Sequence, residues 1–325
     1  MKFSEEKLRS LAEPLSDTEN EKCLNAISMI RDAMKTIGFT DNNKSIKKLY
    51  EDTSAYSLEM LNTSGSRKVK LFIQGSYANN TNVRTQSDVD IAIVQEDVFI
   101  TEYRSSTTYP QSDSDYGFTS VLKSTKSFKD EVEDCLKCKF GADVERKNKS
   151  IKVHGNTYRK DADTVPCKRY KDYQNDFSKD RNNFIGGIYI TPDVGPIIVN
   201  YPEQHIINGR KKNMETDTYY KKMVRIIKNM RYIMSDCGYS SADDVSSFGL
   251  ESLLWNIPND IFTKYLCYGF IFDEIVKYMS APQSYLSSCK EVNDIKKICQ
   301  TNKDVDKYES YINDLKKFYE YDMEN

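Results

Sequence analysis

No run of about 18 apolar residues, the length a membrane-spanning helix needs, occurs anywhere in the sequence. The opening stretch MKFSEEKLRSLAEPL also lacks the apolar centre of a secretory signal. A cytoplasmic protein with no membrane attachment is therefore expected. Excess charge of either sign is missing too: 47 Lys and Arg face 49 Asp and Glu, a net −2. No global field draws such a chain onto nucleic acid, although local basic stripes remain open. Histidine is scarce, with only His154 and His205. Cys135 and Cys138 have CxxC spacing, but a structural zinc site needs four ligands, and neither a second CxxC nor a paired histidine follows. The alternative is two small residues on adjacent turns of a helix. The eight cysteines are scattered, and with no export signal they read as free thiols. Neither an internal repeat nor a low-complexity linker is present.

What is there is a globular composition, 38% hydrophobic and 30% charged, with 23 tyrosines that add large apolar area. Leu24, Ile27, Ile30, Met34 and Ile37 recur at helical steps between a Ser16 or Asp17 cap and a Gly38 stop. A second helical stretch is expected near 45–62. KVKLFIQGSY and SDVDIAIVQ then read as neighbouring strands, and 101–116 as an exposed polar loop. Helix is expected again around 117–139. SIKVHG, TYRKDADTVPCKRY, GGIYI and PIIVNYP read as strands, and mostly helix follows from about 216. The α+β expectation is a strand-rich lobe over 1–205, carrying the long N-terminal helix, packed against a helical lobe over 206–325. The last forty residues, rich in Lys, Asp and Tyr, read as a solvated helical face.

The chemistry concentrates between residues 74 and 90. Gly75-Ser76 ends one strand, and twelve residues after Ser76 comes Asp88-Val89-Asp90 at the start of another. Residues i and i+2 of a strand share a face, so both carboxylates project together while Val89, Ile91 and Ile93 turn away. Such a pair needs a cation, and Mg²⁺, a hard ion that takes oxygen ligands, is its natural partner. Asp161 and Asp163 likewise share a strand face and offer a third acid. Three acids can hold two ions, one on a triphosphate and one that activates the attacking hydroxyl. Gly75 lets the backbone approach β- and γ-phosphates, to which the Ser76 hydroxyl and N–H can donate. Farther on, Lys221, Arg225 and Lys228 lie along one helix face, opposite Met223, Ile227, Met230 and Met234. That face is either an ordinary solvated Lys/Arg surface or a phosphate clamp. Beside the acidic strands, the clamp is the expectation.

Gln74-Gly75-Ser76-Tyr77, Asn82-Val83-Arg84 and Ser87-Asp88-Val89-Asp90-Ile91 resemble the signature of the bacterial cGAS/DncV-like nucleotidyltransferases, the CD-NTases. Asp163-Thr164-Val165-Pro166-Cys167 resembles their third-acid strand, with Thr164 where the family usually has valine. Asn200 to His205 resembles their link into the second lobe, Tyr220 to Arg231 a helix touching donor phosphates, and Ser247 to Pro258 a later segment. The blocks occur in order from about the first long helix to Pro258. The resemblance implies a polymerase-β-like nucleotidyltransferase core, a mixed sheet with helices, packed against a C-terminal helical lobe. It also implies Asp88, Asp90 and Asp163 as ligands of two Mg²⁺ or Mn²⁺ ions, Gly75 and Ser76 as phosphate binders, and Lys228 and Ser247 as donor-triphosphate contacts. The activity implied is synthesis of a cyclic di- or trinucleotide messenger from ATP, GTP or other NTPs, activating a downstream effector in antiphage defence. Two alternatives stand beside it. One is nucleotidyl transfer to a protein, tRNA or small molecule; the other is a catalytically silent nucleotide sensor. His205 reads as a structural histidine, and His154 is assigned nothing.

Overall fold

The computed structural model describes residues 3–83, 88–121, 126–281 and 286–320. Arg84 and Ser87 of the signature lie outside the described residues, as do 122–125 of the helix expected at 117–139. Among the described residues ten strands form one sheet: β1 Phe39–Thr40, β2 Lys47–Lys48, β3 Tyr56–Asn62, β4 Lys68–Gln74, β5 Val89–Glu102, β6 Val144–Arg146, β7 Ile151–Val153, β8 Ala162–Asp172, β9 Ile185–Ile190 and β10 Ile198–Asn200. The helices are α1 Glu5–Leu11, α2 Asp17–Thr36, α3 Gly75–Ala78, α4 Phe128–Phe140, α5 Pro202–Glu215, α6 Tyr219–Asp236, α7 Ser241–Asp244, α8 Ser247–Trp255, α9 Asn259–Thr263, α10 Tyr268–Met279 and α11 Asn302–Glu320.

Two compact units divide the chain. The first comprises Ser16–Ala78 and Asp88–Glu203; the second, helical unit comprises Met1–Leu15, Asn79–Ser87 and Gln204–Asn325. In the sheet unit, the order β1-β3-β4-β5-β8-β7-β6 is antiparallel except at its centre, where β5 and β8 run parallel. β9 pairs with β8 and carries β10. A parallel pair needs a long crossover, which 103–161 supplies with α4 and the β6–β7 hairpin. α2 begins at a capping box in which Ser16 and Glu19 bond each other's backbone N–H. Val89, Ile91 and Ile93 of β5 are fully buried on one face. On the other, Phe72, Ala92, Val94, Val165, Cys167, Ile188 and Ile190 form a small apolar cluster.

Four expectations of secondary structure change: first, the described residues of 117–139 that precede Phe128 are not helical, and α4 begins there behind the N-cap Ser127. The stretch 45–62 is extended, not helical: Leu58 and Met60 are buried at every second position and β3 pairs with β4. Period-2 burial against a neighbouring strand outweighs local propensity. The 101–116 segment starts inside β5, and at its end Tyr116 is buried, donating to Asp176 Oδ2 (2.7 Å) and stacking near Tyr103 and Tyr173. In the helical unit, α11 is not a solvated face, since Tyr311, Ile312, Leu315 and Phe318 join the core around α6. Tyrosine rings bury apolar area that hydropathy undervalues. That core also takes in Phe3, Leu8 and Ala12 from the start of the chain.

Candidate active site

Strand register builds the acid cluster. Asp90 stands directly beside Asp163 on the parallel strands β5 and β8, and Gln74, the last residue of β4, stands beside Asp90 on its other side. The chain then turns at Gly75, whose φ of +70° is open to glycine at little cost. A β-carbon at Gly75 would overlap a carboxylate oxygen of Asp90, so the turn is folded tightly against that acid. Tyr77, buried, fixes α3 by donating to Asn20 Oδ1 of α2 (2.9 Å). Gly75 and Ser76 are half-buried beside it.

Burial, then the neighbouring Asp163 and Asp88, push the Asp90 carboxyl up to about 7. Asp163 is raised as well, first by burial and then by Asp88. Those shifts describe oxygen donors short of positive charge, which a divalent ion supplies. The hard-oxygen donor set and the Gly75 turn pressed onto Asp90 fit Mg²⁺ or Mn²⁺. Among the described residues, no three Asp, Glu, His or Cys side chains are drawn together into a ready-made ion cage. Asp88 is instead turned toward a cation that the sequence reading passed over, Lys152, whose Nζ lies 2.9 Å from Asp88 Oδ2. The departure at Thr164 is accounted for: its buried hydroxyl donates to the Ile151 carbonyl at 2.6 Å, so no polar group is left unsatisfied.

Lys221, Arg225, Lys228 and Ser247 belong to the helical unit. The cationic face of α6 is not presented to solvent: Lys221, Arg225 and Lys228 are 5%, 6% and 2% exposed. Lys228 Nζ lies 2.5 Å from Glu251 Oε2, and Thr81 Oγ1 donates to the same oxygen at 2.8 Å. His205 Nε2 meets Glu251 Oε1 at 2.8 Å. Glu251 is fully buried, yet Lys228 and His205 outweigh that burial and hold its carboxyl well below the usual range. Arg225 bonds the carbonyls of Ala12 and Asn80. Arg225 and Lys228 thus grip Asn80 and Thr81 of the connector that leads from the Gly75 turn toward Asp88. Ser247 opens α8, half-buried, behind the N-cap Ser246. Cys135 and Cys138 both lie in α4, the first buried and the second exposed.

A Gly-Ser turn folded onto paired carboxylates at the centre of a mixed sheet defines a nucleotidyltransferase of the polymerase-β-like type. The comparisons narrow the class. Residues 207–320 match the cGAS/DncV-like nucleotidyltransferase C-terminal helical domain. The cyclic GMP-AMP synthase CdnE03 of Staphylococcus schleiferi is 44% identical over 325 residues, covering 100% of this chain and 99% of that protein. A cyclic dipyrimidine nucleotide synthase, CdnE of Cecembia lonarensis, is 34% identical over 94% of this chain and 96% of its own length. The structure of the Elizabethkingia meningoseptica CdnE cyclic dinucleotide synthase with GTP and Apcpp superposes with a TM-score of 0.68 at 28% identity, over 98% of this chain and 100% of that one. The chain belongs to the cGAS/DncV-like nucleotidyltransferases, and its function is the synthesis of a cyclic oligonucleotide messenger from nucleoside triphosphates. Among the described residues no helix is long and apolar enough to cross a membrane.

Proposed function

We propose that this chain joins ATP and GTP into a cyclic dinucleotide, releasing two pyrophosphates, and that the product activates an effector protein in defence against phage. The observation that carries the chemistry is the register of Asp90 beside Asp163, with the Gly75 turn against Asp90. The full-length likeness to a cyclic GMP-AMP synthase favours the purine pair. Asp88, Asp90 and Asp163 would hold two Mg²⁺ or Mn²⁺ ions, whose charge polarises the α-phosphate and lowers the proton affinity of the attacking hydroxyl. The backbone at Gly75 lets the triphosphate approach, and the Ser76 hydroxyl and N–H donate to its outer phosphates. Lys221, Arg225, Lys228 and Ser247 would complete the donor site, Lys228 and Arg225 by holding the connector that joins the Gly75 turn to the acids.

Each transfer forms a bond from a ribose oxygen to the α-phosphorus and breaks the bond to pyrophosphate. A linear dinucleotide keeps a 5′-triphosphate, whereas the closed ring has no terminal phosphate. Pure protein given all four NTPs, labelled at the α-phosphate, with Mg²⁺ or Mn²⁺ is expected to yield a phosphatase-resistant product. Its mass should be that of cyclic GMP-AMP, and no primer should be needed. A product sensitive to phosphatase, or label on a macromolecule, would defeat the cyclase reading. A resistant ring of other bases would replace only the choice of ATP and GTP.

A further inference from the structure

Lys152 is placed on the acid face by the strand that carries it. Ile151 and Val153, its neighbours in β7, are buried, and Lys152 pairs in register with Asp163 of β8. The Thr164 hydroxyl, bonded to the Ile151 carbonyl at 2.6 Å, pins that register. A one-residue slip would turn Lys152 to the opposite face. The ammonium bridges two carboxylates, 2.9 Å from Asp88 Oδ2 and 2.8 Å from Asp161 Oδ2. Its two partners are not held alike. Asp161 is anchored independently, because its Oδ1 accepts the Gly155 N–H at 2.5 Å. The two side chains are almost equally exposed, 40% for Asp88 and 37% for Asp161, so it is the Gly155 anchor that tells them apart.

A carboxylate that ligates a divalent ion and also pairs with an ammonium is shared between competing cations. We propose that Lys152 is a built-in placeholder cation that neutralises Asp88 until a metal–nucleotide complex binds, and that Asp161 keeps the ammonium once Asp88 is released. The device favours metal arriving with a triphosphate over a bare ion, because only the complex brings added negative charge to offset the displaced ammonium. It also gives Asp161 a task distinct from ligation, that of drawing Lys152 away from Asp88. The inference rests on the reading of Asp88, Asp90 and Asp163 as ion-holding acids.

The test is direct Mn²⁺ binding without nucleotide, followed by the electron paramagnetic resonance signal of free Mn²⁺ on the full chain. Lys152→Met is expected to tighten binding about tenfold, worth roughly 1.4 kcal/mol. Lys152→Arg, which keeps the charge, should stay near wild type, and Asp161→Asn should weaken binding by leaving the ammonium on Asp88. Lys147, a cation near Asp163 that pairs with Glu145 at 2.7 Å, serves as the control for long-range charge. Lys147→Met should shift binding far less than Lys152→Met. Equal shifts in the two Met variants, or no gain in Lys152→Met while melting shows it folded, would overturn the proposal. Asp90→Asn separates the two layers of the reading: if it leaves Mn²⁺ binding unchanged in the Lys152→Met background, the ion-holding acids themselves are misassigned.

Discussion

Asp90 stands half-buried between Gln74 of β4 and Asp163 of β8, and it is the acid against which the Gly75 turn is pressed. Asp90→Asn and Asp163→Asn are each expected to lower kcat by about 10³-fold or more while melting stays near wild type, because they remove charge and keep shape. Asp161→Asn should cost far less at saturating Mg²⁺ and NTP. Steady-state rates checked beside melting curves decide the ranking, and an Asp161 effect larger than that of Asp163 would exchange their roles. Gly75→Ala makes a sharper case. The added methyl meets the Asp90 carboxylate and the positive φ adds roughly 1 kcal/mol of strain. Turnover should fall by about 10²-fold or more with only a modest loss of stability. Near-normal kcat/KM in that variant would show that the turn can move without harm to the acids.

Two helices, α6 and α8, meet through a buried charge cluster rather than through apolar contact alone. Glu251 of α8 accepts from Lys228 of α6, Thr81 and His205. Glu251→Gln leaves buried cations without a carboxylate and is expected to cost about 3 kcal/mol in urea unfolding. The folded-state carboxyl is held below its unfolded value, so its stabilisation is full above the ordinary Glu range and is lost as pH falls through and below that range. Wild type should therefore exceed Glu251→Gln by a constant margin at neutral pH, and the margin should shrink in acid. A margin that grows as pH falls would contradict the assignment. Kinetics add a second reading: if Lys228 acts by holding Thr81, then Glu251→Gln and Lys228→Met should raise KM for NTP alike. A large effect from Lys228→Met alone would favour direct contact with the triphosphate.

At the scale of the molecule, the helical unit recruits chain from far away in sequence. Leu8 is fully buried in its core with Tyr220 and Ile227. Leu8→Ala is expected to destabilise this unit by about 2–5 kcal/mol, read as a lower melting temperature with the secondary-structure content retained at low temperature. A change below about 0.5 kcal/mol would mean that the first fifteen residues only lie on the surface. The sequence reading divided the chain once, near 205, and the structure passes from one unit to the other at four points, ending at Glu203/Gln204. Contiguous patterns cannot reveal that Ala12 finds Arg225, 213 residues on, or that Asn80 and Thr81 find Arg225 and Lys228, 145 and 147 residues on.

By itself the sequence determined the local facts: an α2 cap at Ser16 or Asp17, which the structure gives to Ser16, the strand–turn of Gly75 and Ser76, and the start of a strand at Val89. Each depends on neighbours a few positions apart, where period-2 alternation, capping and glycine geometry act directly. Tertiary structure alone decided which strand lies beside which, and so what faces the acids. Lys152 read as one polar residue in a short strand until β7 paired with β8 and set it opposite Asp163. The α6 cations follow an amphipathic pattern that a solvated face would share, and only the tertiary partners, Glu251 for Lys228 and the Ala12 and Asn80 carbonyls for Arg225, show why those two are inside. The same reason separates α11 and the 45–62 stretch from what their local patterns suggest. Burial is settled by partners distant in the chain, and a side chain's environment, not its type, fixes its charge balance and its part in the chemistry.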